Sequence, residues 1–191
     1  MLLKNYDIRY DFVYQTVTDF ILEENITLPV LDIFKLCKRL NILVLSDEEI
    51  KTKFDLSYCK MLNTDDEATI YLSETDQYII IYNTKVQNDP LIKFTIGHEL
   101  AHIILGYFDS GYDSITYQCE KKESEYFLML LLMHPLYLLR NCVDSDKEVQ
   151  SLCQTTAMAS SAGFINFKNF CRLHVFKDTD LHLLSQINKN I

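Results

Sequence analysis

The 191-residue chain has no tryptophan, four glycines and three prolines. With so little Gly and Pro, no tract reads as a flexible linker or low-complexity segment, and no internal repeat is visible. Basic residues are also scarce: 18 Lys and Arg face 27 Asp and Glu, for a net charge of −9. That balance argues against direct nucleic-acid binding, which needs clustered cations to neutralise phosphates. Long apolar runs are missing too. The most apolar stretch, Tyr126 to Leu139, carries His134 and Pro135 and falls short of the roughly 20 residues that span a bilayer. No membrane association is expected. The N-terminus lacks the apolar core and cleavage site of a signal peptide, so the expected location is cytoplasmic. The six cysteines form no CxxC pair and are expected to be free thiols, because disulfide frameworks belong to secreted chains.

What is present is enough hydrophobic residue, 48% of the chain, to bury a real core. Apolar spacing predicts helices over 10–23 and 31–40, and a strand over 42–45 followed by an acidic turn at Asp47, Glu48 and Glu49. The Ile- and Tyr-rich segments Thr69 to Leu72 and Tyr78 to Tyr82, separated by Ser73 to Gln77, predict an antiparallel hairpin. A helix is expected from Leu91 to Leu105 and should stop at Gly106. After a polar loop, 107–118, another helix should run from Cys119 to Met133 and end near Pro135. Two more are predicted over 147–159 and 164–175, before a weakly patterned end, 178–191. The expected class is α+β, with a small three-stranded sheet packed on helices. The expected division is a domain over 1–140 and a C-terminal helical extension over 141–191.

The chemistry concentrates in His98-Glu99-Leu100-Ala101-His102. Residues four apart lie one turn apart on one helical face, so both imidazoles can reach one metal ion. Zinc suits neutral imidazole, and Glu99 stands where it can take a proton from an activated water. A catalytic zinc keeps three protein ligands. The glutamates of the following helix, Glu120, Glu123 and Glu125, are the sources considered for the third. Tyr107, Tyr112, Tyr117 and His134 are candidates for stabilising an oxyanion. The strand Tyr78–Tyr82, through Tyr78, Ile80 and Tyr82, could bind an extended substrate peptide by adding it to the sheet edge.

Three segments occur in a telling order: Tyr78-Ile-Ile-Ile-Tyr-Asn83, then Phe94-Thr-Ile-Gly-His-Glu-Leu-Ala-His102, then Glu123-Ser-Glu-Tyr-Phe127 with Leu131-Leu-Met-His-Pro135. In this the chain resembles the ImmA/IrrE metallopeptidases, a likeness that covers most of residues 10–175. The resemblance implies a minimal zincin-like fold, a bound Zn²⁺, and cleavage of a helix-turn-helix repressor that relieves repression of a mobile element or stress response. Two departures stand out. His134 is inserted before Pro135, and aligning the family's Glu-x-Glu-Ala-Asn-x-Phe helix on Phe127 sets Lys121 where the first glutamate, the expected zinc ligand, would be. A protonated lysine is no metal ligand. Glu125, one turn along the same face, is the first alternative and Glu120 the second. Should no carboxylate serve, the chain would be a non-catalytic protein-binding module that keeps the fold.

Overall fold

The computed structural model describes residues 7–53, 68–85, 89–107 and 114–187. Tyr112, Cys59 and residues 108–113 of the expected loop lie outside them. The chain divides into two compact units, one of residues 32–124 and one of residues 7–31 with 125–191. The division does not fall at residue 140.

The first unit holds the sheet. Helix α2 (Ile33–Arg39) is capped by the Asp32 carboxylate, which accepts from the Lys35 amide, and leads into β1 (Leu43–Ser46). The expected acidic turn is instead a helix, α3 (Asp47–Lys53). Ser46 Oγ accepts from the Glu49 amide at 3.0 Å while the Glu49 carboxylate accepts from the Ser46 amide at 2.9 Å. This reciprocal box satisfies two amides that would otherwise be stranded at a helix start, and the carboxylates of the first turn favour the positive end of the helix dipole.

Strands β2 (Ala68–Leu72) and β3 (Tyr78–Tyr82) form the expected hairpin, Leu72 opposite Tyr78. Asp76 takes a left-handed φ of 56° in its turn, a conformation that Asp tolerates better than most residues. Sheet order is β1-β3-β2, with β1 parallel to β3. A central strand is covered on both faces, which explains the unbroken Ile79-Ile80-Ile81 run. Ile79 and Ile81 join Leu45 and Ile50 of α3 in one core cluster. Alternation turns Ile80, which is fully buried, to the other face. Tyr82 shares that face and meets Phe34 of α2 with ring centroids 6.3 Å apart.

Helix α4 (Asp89–Leu105) packs on β2, β3 and α2. It stops where expected, at Gly106, whose φ is +74°. The Gly106 amide donates to the Ile103 carbonyl at 3.2 Å and the Tyr107 amide to the His102 carbonyl at 2.9 Å. Such a paired C-terminal closure needs a left-handed residue and turns the chain sharply out of the helix.

Helix α5 (Ser114–Leu132) begins earlier than expected and contributes its first part to this unit and the remainder to the second. The second unit also contains α1 (Tyr10–Glu23), α6 (Pro135–Arg140), α7 (Asp146–Cys153), α8 (Ala157–Leu173) and α9 (Asp178–Ile187). Its cluster joins Met133, Leu138, Val143, Val149, Cys153 and Phe167. The single helix expected over 147–159 is two, because Gln154 adopts a left-handed φ of 49° that ends α7. Pro135 opens a helix rather than closing one: His134 is the N-cap of α6, its Nδ1 accepting from the Leu136 amide at 3.3 Å. Proline suits a first helical turn because its missing N–H would be unpaired there anyway.

Asp180 is fully buried and accepts three hydrogen bonds, from Tyr14 Oη at 2.8 Å, His174 Nε2 at 2.8 Å and the Lys177 amide at 2.7 Å. Burial alone would raise its pKa, but the three donors hold the carboxyl below its ordinary value. His134 nearby is fully buried, and loss of solvation pushes its pKa down to about 3.

Gly106→Ala should cost about 1–2 kcal/mol by urea unfolding, the penalty of an L-residue in the left-handed region, since an added Cβ meets nothing within 4 Å. His134 stays neutral in the fold while it ionises near its ordinary value when unfolded, so its contribution is complete above about pH 6.5 and is lost as pH falls toward 3. His134→Asn keeps a capping acceptor and should flatten the fall in urea midpoint between pH 7 and pH 4.

Candidate metal centre

The sheet-bearing unit presents His98, Glu99 and His102 on α4, whose buried side is Thr95, Ile96, Leu100 and Ala101. Those apolar contacts fix the helix, and the two histidines, one turn apart, are half-buried at its flank. His98 Nε2 and His102 Nε2 lie 3.1 Å apart, with the rings edge to face at 69°. Two nitrogens at 2.0–2.1 Å from a tetrahedral zinc would be roughly 3.3 Å apart. The pair therefore has the bite of two ligands of one ion.

Electrostatics favour the ligand form. Burial, His102 and the Lys121 cation together push the His98 pKa down to about 4, and burial does the same to His102. Both imidazoles are neutral at pH 7, as metal ligation requires. Among the described residues the buried His98 Nδ1 has no hydrogen-bond partner. A ligating imidazole ordinarily donates from its second nitrogen to a carboxylate or carbonyl, and none of the described residues gives His98 that support.

The other sequence-predicted residues are placed unevenly. Glu120 is half-buried on α5, whereas Glu125 is exposed and belongs to the second unit. Lys121 is exposed yet acts on His98. The remaining glutamate considered, Glu123, is only 2% exposed and accepts a hydrogen bond from Tyr107 Oη. The Tyr107 ring meets His102 edge to face, centroids 6.0 Å apart. The turn at Gly106 thus delivers a phenol that touches a histidine of the pair and binds a buried carboxylate. Among the described residues no three His, Cys, Asp or Glu side chains converge as a complete metal site.

The proposed substrate strand needs correction. β3 is hydrogen-bonded to β1 on one side and to β2 on the other, so Tyr78, Ile80 and Tyr82 offer no open edge to an added peptide. Among the described residues β2 pairs only with β3, so its outer side is the edge beside α4. His134, a candidate oxyanion helper, is a buried helix cap in the second unit.

Glu123 was legible in principle. Together with Ser124, Phe127, Leu128 and Leu131 it forms the buried stripe of α5, at the spacing of one helical face.

A comparison with known protein families finds no family that matches the chain, and a comparison with curated proteins finds none that matches either. No helix among the described residues is long and apolar enough to cross a membrane.

Tyr107→Phe removes the donor to a buried carboxylate and should lower stability by about 1–3 kcal/mol in urea unfolding. The exposed Glu125→Gln should change it by less than about 0.5 kcal/mol.

Proposed function

We propose that the chain is a zinc-dependent metallopeptidase of the zincin type, acting in the cytoplasm on a helix-turn-helix repressor and so relieving repression. The observation that carries this reading is the approach of His98 and His102 to 3.1 Å with Glu99 between them in sequence. Two neutral imidazoles at that separation, with a carboxylate between them in sequence, suit hydrolysis better than a purely structural site, which would use the carboxylate as a ligand.

His98 and His102 would hold the ion, and we assign Glu123 as the third donor ahead of Glu125 and Glu120. Its support is burial and its tie to His102 through Tyr107. When bound, zinc supplies Lewis-acid polarisation of the scissile carbonyl and lowers the pKa of water. Glu99 takes the proton of the attacking water and returns it to the leaving amine. The edge of β2 receives the substrate as an added strand. The repressor supplies the DNA-binding surface that a chain of net charge −9 does not favour.

One observation favours the second reading, a protein-binding module without turnover: the Lys121 cation acts on His98 where the resemblance expects a ligand carboxylate. A cation there opposes a second cation at the pair, so metal retention should be weak.

Both readings meet the same experiment. The chain is purified and tested for zinc by elemental analysis, and it is co-expressed with a candidate helix-turn-helix repressor. The expected outcome is repressor cleavage seen by mass spectrometry, abolished in Glu99→Gln with zinc still bound. Cleavage at the wild-type rate in Glu99→Gln sinks the mechanism, and a folded, zinc-free, inactive chain favours the binding module. Glu123→Gln should reduce zinc occupancy more than Glu125→Gln. Lys121→Glu should raise zinc affinity by at least about tenfold, about 1.4 kcal/mol, in a chelator competition.

A further inference from the structure

The second unit carries a surface unlike the rest of the chain. From Val149 to Lys177 there is no Asp or Glu, while Lys168, Arg172 and Lys177 are present. These give this stretch +3 against a chain total of −9, which leaves −12 on the remainder. Local charge of the opposite sign to the whole marks a patch that can attract what the rest of the surface repels.

The same stretch exposes large apolar side chains. Met158 is 85% exposed, Leu173 77% and Val175 81%, with Ile165 and Phe176 also uncovered. Met158, Ile165 and Arg172 recur at sevenfold spacing along α8, with Ala162 and Asn169 exposed between them, so they form one ridge. The ridge cannot turn inward. The opposite side of α8 is anchored by the buried Ser160, Gly163 and Phe167, and a Cβ at Gly163 would come within 2.6 Å of Met133 Sδ.

Of the three cations, Lys177 is engaged within the chain, its Nζ donating to Gln15 Oε1 at 3.4 Å. Lys168 Nζ sits 4.8 Å above the Phe164 ring, and neither it nor Arg172 forms an ion pair among the described residues. An arginine on a partly apolar ridge and a lysine beside it, without a carboxylate on their own element, are complementary to a surface that is itself apolar and acidic.

We infer that the exposed ridge of α8, continued through Val175 and Phe176, docks an acidic amphipathic helix of a partner protein. Apolar residues at three- and four-residue spacing on that helix would pack against Ile165 and Leu173, and its flanking carboxylates would meet Lys168 and Arg172. Three competitors fit less well. A second copy on a two-fold axis would set these cations against each other. Nucleic acid would leave the apolar ridge without a partner. An anionic membrane would repel the −12 on the remainder of the chain. The inference is independent of whether α4 supports hydrolysis.

The test uses the full chain and a fluorescein-labelled synthetic helix with leucines at three- and four-residue spacing flanked by glutamates. Fluorescence anisotropy should show saturable binding that weakens with salt and drops by at least about tenfold in Arg172→Glu and in Leu173→Asp. Both positions are exposed, and circular dichroism verifies that each variant is folded. A peptide with lysines in place of the glutamates should not bind. Any of four results overturns the inference: no binding of the acidic helix, binding by both variants as tight as by the unsubstituted chain, equal binding of a peptide whose leucines are replaced by serine, or sedimentation of the chain with phosphatidylserine vesicles that Arg172→Glu abolishes. A dimer seen by sedimentation velocity and dissociated by Leu173→Asp overturns it as well, because the ridge would then be covered by a second copy.

Discussion

Three adjacent isoleucines, Ile79, Ile80 and Ile81, must all leave water, and a strand can hide neighbouring side chains only by burying both its faces. That requirement sets β3 between β1 and β2, brings α3 over Ile79 and Ile81, and leaves Ile80 on the face where α2 reaches Tyr82. Helix α4 packs on the same sheet and derives its fixed orientation from it. Two histidines on a free helix would sample many separations. On a helix pinned through Ile96 and Leu100, they are held at one distance.

Much of this was legible in the sequence. The hairpin, the helix of the histidine pair and its stop at Gly106 came from local rules, alternation, spacing and backbone freedom, that act over a few residues. Helix α1 falls over the very residues, Tyr10–Glu23, whose apolar spacing predicts it. The differences arise where one residue carries two meanings. Pro135 suits the end of one helix as well as the start of the next, and here it opens α6. Asp47, Glu48 and Glu49 suit a turn as well as a helix start, and the reciprocal bonds between Ser46 and Glu49 decide for the helix.

The centre around the pair was legible only in part for a related reason. Spacing establishes that His98 and His102 share a face, but it assigns no direction to a face of α5 until its neighbours are known. Reasoning from Lys121 favoured Glu125, one turn away. Burial follows Glu123 instead, because Phe127, Leu128 and Leu131 choose which side of α5 is hidden. Likewise the order of strands cannot be read from three apolar runs. Pairing β1 beside β3 removes the open edge that a simple hairpin would have offered.

The hydrogen bond from Tyr14 to Asp180 links partners 166 residues apart in sequence. Synthesis makes α1 before the sheet, yet the carboxylate that accepts from its tyrosine is made after it. Residues 32–124, by contrast, are synthesised as one uninterrupted block and can assemble their sheet while the remainder is still being translated. The order of manufacture therefore separates the two units in time: the one bearing the histidine pair can take shape while α1 waits for α9 to close its own.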